Sequence, residues 1–262
     1  MAGLGGEGGL ATGTGATGGV RYRGATGRGV SFLGSLQDAL APPLCCLCRR
    51  PAGALPWLCA ACVAGLELWR GARCLRCGAP RPLTTPVCGR CPAWPKAVSA
   101  ARSAGPHDGT ARDLVHALAL HGRLEAARPL GALVAAVARD LPLHPDTVVV
   151  PVPLHRRDRR RLGLHPAGEI ARTAARALHL ARRPRWLRRV RPGPAGAPLT
   201  RAGRRRAVAG AFRAHPRCRG RRVLVVDAGL VTGATFGACA RALRRRGAAE
   251  IWAVSATRRL RG

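Results

Sequence analysis

Lysine is all but absent: Lys96 is the only one, so the other 44 of the 45 basic residues are arginines. The guanidinium fork is always charged and can hold two oxygens at once, which suits phosphate better than a point charge does. Acids are scarce too, 12 Asp and Glu in all, and the resulting formal net charge of +33 points to a nucleic acid or a phosphorylated ligand. Arg, Ala, Gly and Pro also share GC-rich codons, so composition alone does not separate a binding surface from the codon usage of a GC-rich genome. Aromatic residues amount to 3%, three Phe, one Tyr and five Trp, which leaves little for a base-stacking surface. Long apolar runs are missing as well. The longest, Leu130 to Ala138, falls short of the roughly 18 to 20 residues that a membrane span requires. Residues 1–29 have almost no large apolar group and no basic start followed by an apolar stretch, so they read as a disordered leader and not as a secretory signal. A cytoplasmic protein is expected.

What is present is a core and a cysteine framework. With 47% hydrophobic residues in 262, the chain can bury one or two domains. Phe32, Leu33, Leu36 and Leu40 recur at helical spacing before Pro42-Pro43. Eight of the 11 cysteines then form four Cys-x-x-Cys pairs, Cys45/Cys48, Cys59/Cys62, Cys74/Cys77 and Cys88/Cys91. Eight thiolates at that spacing are the ligand set of two tetrahedral zinc ions, with no position left open for substrate. A disulfide framework is the competing reading, disfavoured because a cytosol keeps thiols reduced. Neighbouring pairs can share an ion, or the two ribbons can interleave. Cys46, Cys218 and Cys239 fall outside the spacing. The domains expected are the leader 1–29, a short helix with a double zinc ribbon over 30–97, and an α/β domain over 98–262.

In that last domain, apolar residues at helical spacing predict helices around Leu114 to Leu120 and Pro129 to Val137, and from Pro166 to Leu178. Thr147 to Leu154 and Val223 to Asp227 read as buried strands, and Ile251 to Val254 as another, which together predict a mostly parallel sheet with helices on both faces. The strand Val223-Leu-Val-Val-Asp227 leads through a Gly/Thr loop into a helix. Ligands in such sheets sit beyond the carboxyl ends of the strands, and free amides at a helix start favour phosphate. Thr232, Gly233, Ala234 and Thr235 would form a phosphate cradle, with Asp227 accepting hydrogen bonds from sugar hydroxyls. The alternative is a plain βα turn in which Asp227 and Thr232 cap the helix.

That loop resembles the phosphoribosyl-pyrophosphate (PRPP) motif of type I phosphoribosyltransferases. The order of features is similar to that of the ComF/GntX family: four Cys-x-x-Cys pairs, Arg112 to Leu118, Val150-Pro-Val-Pro-Leu-His155 with its basic loop, Gly210-Ala-Phe212, and the strand, loop and helix from Val223. The match runs from about residue 32 to 259, so translation is expected to start at or near Val30. The resemblance implies a type I phosphoribosyltransferase-like domain behind a double zinc ribbon. It also implies Mg²⁺ on the pyrophosphate, a link to uptake of single-stranded DNA in natural competence, and competence or helicase-type protein partners. His155, Arg156, Arg157, Arg160 and Arg161 would approach the pyrophosphate, and Asp227 with Thr232 to Thr235 would hold ribose and 5′-phosphate.

Several positions depart from the family pattern. Two adjacent acids are usual where Asp227-Ala228 stands, and Val231 replaces the first threonine of the Thr-Thr-Gly pair. Ala119, Leu162 to Pro166 and Ala207 also differ. The expectation is a PRPP site that has lost one ribose-facing carboxylate and that Ala228→Asp would tighten. Two functions compete. One is a phosphoribosyltransferase with an unknown acceptor; the other is an inactive nucleic-acid-binding or protein-docking adaptor on the same scaffold.

Overall fold

The computed structural model describes residues 43–53, 57–81, 87–89, 91, 94–193 and 200–260. The leader and the expected helix over Phe32 to Leu40 lie outside these residues. Five parallel strands form the main sheet in the order β1-β7-β6-β2-β3: β1 Ala100–Pro106, β2 Val148–Pro151, β3 Ala181–Arg182, β6 Arg222–Leu230 and β7 Glu250–Arg258. A second, antiparallel pair, β4 Leu187–Arg189 with β5 Phe212–Ala214, stands apart from it.

Side-chain alternation divides the core in two. Val223, Val225, Ile251 and Ala253 point to one face and pack with Phe236, Cys239, Ala240 and Leu243 of the helix Ala234–Arg245. Leu224, Val226, Trp252 and Val254 point to the other, where three helices cover them: Gly109–Ala119, Ala127–Ala138 and Pro166–Ala177. Branched residues buried on both faces are what a parallel sheet between two helical layers demands. Pro129 sits in the first turn of its helix and Pro166 opens the next one, both as expected from the sequence.

The cysteine segment is built into this fold rather than appended to it. Cys45, Cys46, Leu58 and Cys59 belong to the second of these core layers, and Cys74, Cys77, Cys91 and Trp94 to the first. Between the two groups the chain passes along the outer edge of β1, where the Trp69 amide donates to the Ala104 carbonyl (2.9 Å) and the Ala101 amide to the Arg76 carbonyl (2.8 Å). An edge strand that would otherwise expose unpaired amides is thereby covered. The approach is close enough that a Cβ on Gly78 would lie 2.3 Å from the Ala101 carbonyl oxygen, and one on Gly105 2.0 Å from that of Glu67.

β1 itself, Ala-Ala-Arg-Ser-Ala-Gly-Pro, was not foreseen, because these residues have little intrinsic strand preference. The Pro/Gly/Arg-rich stretch before Val223 also holds more order than its composition suggests: β4, β5 and the helix Arg201–Val208, capped by the Thr200 hydroxyl accepting from the Gly203 amide (3.0 Å). No helix among the described residues is long and apolar enough to cross a membrane.

Candidate phosphate cleft and cysteine centres

Two groups of four sulfurs form, Cys45/Cys48/Cys59/Cys62 and Cys74/Cys77/Cys88/Cys91, each with all its sulfurs within 4.8 Å of one another. Neighbouring pairs therefore share a centre, which decides between the two arrangements left open by the spacing. Individual separations include Cys74–Cys91 at 3.3 Å, Cys48–Cys59 and Cys77–Cys88 at 3.5 Å, and Cys48–Cys62 at 3.8 Å. A disulfide would bring two sulfurs to about 2.05 Å. Four thiolates about 2.3 Å from one tetrahedral ion lie about 3.8 Å from each other, so the groups fit a metal and not a bridge. All of these cysteines are free.

The two knuckles repeat in backbone detail. Cys45 and Cys74 each donate from their amide to a carbonyl five residues on, and each accepts from the amide four residues on. The residue closing each turn is left-handed: Gly78 at φ 68° and Arg49 at φ 63°. Cys46 stays outside its group; burial pushes its thiol up to about 11, as suits a small core residue.

The second feature is a cleft of about 280 Å³ at the carboxyl ends of the strands. Asp227, the loop Leu230 to Thr235, and Arg189 and Arg204 from the β4 and Arg201–Val208 segments line it. The sequence-predicted residues Asp227, Thr232, Gly233, Ala234 and Thr235 are thus brought together. Gly233 takes φ 74° at the N-cap of the helix, a left-handed turn that glycine adopts without strain. The first amides of that helix have no carbonyl partner within it, and the Thr232 hydroxyl accepts from the Ala234 amide at 3.4 Å. One carboxyl and two guanidinium groups line it. Burial pushes the Asp227 carboxyl up to about 7, against the downward pull of the Ala228 amide (2.8 Å from Oδ1) and of Arg189.

Three expectations are corrected here. The strand does not stop at Asp227: β6 pairs with β7 as far as Leu230, so the loop shrinks to Val231, Thr232 and Gly233. Ala228 consequently points to the opposite face from Asp227, packs with the Trp252 layer and does not line the cleft. The basic segment after β2 is a helix and not a loop. Arg156–Leu162 is capped by His155, whose Nδ1 accepts from the Arg157 amide at 3.3 Å, and Arg156, Arg157, Arg160 and Arg161 are exposed on it. None of these five residues lines the cleft, though they start from the same sheet edge: the Val152 amide donates to the Val226 carbonyl (2.8 Å) next to Asp227. His165 closes this connection, its Nε2 lying 2.8 Å from the Val152 carbonyl oxygen. His116 lies edge-on to His107 with ring centroids 5.8 Å apart, away from the cleft.

Arg189 was missed, since nothing distinguishes it from its arginine neighbours in sequence. Trp94 was missed as well. Its ring forms the wall behind Gly233, where a Cβ would meet the ring at 2.7 Å.

Sheet, cleft and cysteine groups define an α/β protein of the parallel-sheet class with paired four-cysteine ribbons sealing its edge. A 229-residue stretch is 31% identical to the DNA utilization protein YhgH of Salmonella typhi, covering 82% of this chain and 98% of that protein. The Escherichia coli K12 protein of the same name is 30% identical over 227 residues with the same coverage. The chain belongs to the family of the DNA utilization protein YhgH. No protein-family model matches it. Among solved structures, glutamine PRPP amidotransferase from B. subtilis complexed with ADP and GMP matches with a TM-score of 0.35 and 21% identity, over 50% of this chain and 26% of that one. An allosteric regulatory enzyme of purine biosynthesis matches at 0.33 and 21%, with the same coverage.

Proposed function

We propose that this chain is a ComF/GntX-type, phosphoribosyltransferase-like protein that binds PRPP in the cleft over β6 and acts in the handling of single-stranded DNA. The cleft carries the reading: Asp227 for ribose hydroxyls, the Thr232 to Thr235 turn for the 5′-phosphate, and Arg189 and Arg204 supplying positive charge above them. A helix start with free amides and a left-handed glycine favours an anion. Mg²⁺ would arrive on the pyrophosphate, and in this reading the exposed arginines of Arg156–Leu162, on the connection that follows β2, would approach the pyrophosphate end from outside the cleft. The two cysteine groups would each hold one structural zinc. The similarity to DNA utilization proteins supports the connection to DNA, and its single-stranded form is what the ComF/GntX resemblance implies.

Calorimetry with PRPP and Mg²⁺ tests this. Asp227→Ala should weaken binding about ten- to a hundredfold, the worth of a charged hydrogen bond to a hydroxyl, and Thr235→Ala should weaken it too. If PRPP gives no heat with the unaltered protein, the loop is a structural βα turn.

A second reading, an inactive nucleic-acid-binding adaptor, is favoured by one observation: the arginines of Arg156–Leu162 are exposed and lie outside the cleft. Binding to single-stranded DNA whose affinity falls steeply with salt, and is unaffected by Asp227→Ala, would support it.

A further inference from the structure

Arg258, at the end of β7, is 7% exposed and makes no ion pair with a carboxylate among the described residues. Its guanidinium turns to the second cysteine group instead: one nitrogen donates to the Cys77 carbonyl, and another lies 3.8 Å from the Cys77 sulfur. A buried cation needs a countercharge. Four thiolates around one divalent ion leave two negative charges in excess, so the metal-loaded group supplies it.

The same guanidinium lies over the ring of Trp94, 5.8 Å from the centroid. Trp94 is 4% exposed, and its amide donates to the Cys91 carbonyl at 2.9 Å, so it is tied to the cysteine group from its own side as well. The six-membered part of the ring rests against Gly233, and Pro95 rests on Gly237 one turn into the helix. The backbone closes the circuit, since Arg258 pairs with Leu230 and the Arg259 amide donates to the Leu230 carbonyl (2.8 Å), immediately before the loop. The loop is thus held between β7 and a tryptophan, both attached to one cysteine group.

We propose that Trp94 and Arg258 are positioning residues that couple the second cysteine group to the Thr232 to Thr235 loop. A divalent ion on Cys74, Cys77, Cys88 and Cys91 and a phosphate ester in the cleft then strengthen each other's binding. The proposal rests on the phosphate-binding reading of the loop. Neither residue lines the cleft, and the coupling is reciprocal because both equilibria share one loop conformation.

The test uses the full-length, zinc-loaded protein, with PRPP and Mg²⁺ as the cleft probe and release of zinc to a colorimetric chelator as the second readout. PRPP should slow the release of one of the two ions by about fivefold or more, and Trp94→Ala should abolish that protection and weaken PRPP binding as well. Trp94→Phe, which keeps a ring against Gly233, should restore most of both and guards against a folding defect in the alanine variant. Arg258→Met should speed release of the same ion even without PRPP. An unaltered protein that binds no PRPP overturns the reading of the loop, and this coupling with it. Normal PRPP binding together with zinc release that PRPP does not slow, or with an unchanged Trp94→Ala variant, overturns the coupling alone.

Discussion

Asp227→Asn should make this protein more stable, and increasingly so as pH rises. The carboxyl titrates at about 7 in the fold against 3.8 in an unfolded chain, because burial disfavours its charged form. A raised acid pKa means that the folded state holds the proton longer than the unfolded state. Stability is therefore highest below the unfolded value, is lost as pH climbs through the window between the two, and stays low above the folded value. Three units at 1.36 kcal/mol each set an upper limit of about 4 kcal/mol for the cost of the ionised carboxylate. Asp227 borders an open cleft and is only partly buried, so about half of that, roughly 2 kcal/mol, is the realistic figure. Asparagine keeps the shape and the acceptor for the Ala228 amide but never ionises. Urea unfolding of both proteins at about pH 5 and about pH 8 reads the effect: the asparagine variant's advantage should grow by about 1 to 2 kcal/mol between them. Other groups titrate in both proteins and cancel in the difference. An advantage that is flat with pH, or that shrinks as pH rises, would refute the burial argument. PRPP affinity should fall in the same variant, since a site residue kept at a cost in stability is kept for binding.

Further outcomes follow from the geometry. Ala228→Asp should leave PRPP affinity unchanged in calorimetry, since residue 228 faces the Trp252 layer and not the cleft. Gly78→Ala should cost about 2 to 4 kcal/mol in a denaturant titration, because the added methyl meets the Ala101 carbonyl and the backbone there is left-handed. Arg49→Gly, at the equivalent turn of the first knuckle, should instead stabilise by about 0.5 to 1 kcal/mol by relieving a left-handed residue that is not glycine. Metal analysis of reduced protein should give two zinc ions per chain, and chelation should speed hydrogen exchange at the Ala101 amide, whose partner is the Arg76 carbonyl.

Much of this protein is written locally. Cys-x-x-Cys spacing picks out the eight cysteines that gather in two groups of four, because a knuckle is a short turn whose two sulfurs are aimed by its own backbone. The valine runs of β2 and β6 and the Ile251 to Val254 run declare strands buried on both faces. A glycine ahead of a helix marks the turn from Thr232 to Thr235, since turn and helix start are both short-range features. What lies beyond a few residues was settled only by packing. Which cysteine pairs come together depends on how the knuckles meet, and the two groups straddle the edge of a strand, β1, whose own residues barely favour one. β1 is a strand because β7 lies on one side of it and residues 67–76 on the other. Extending β6 by three residues to pair with Arg258 turned Ala228 away from the cleft, and helix capping by His155 turned an expected basic loop into a helix. Trp94 and Arg258 acquire meaning only where the chain returns, after more than 130 residues, to lay one against the other and both against the cysteine group. Local sequence fixes torsions and periodicity, whereas contacts at that separation are chosen by the burial of the whole core.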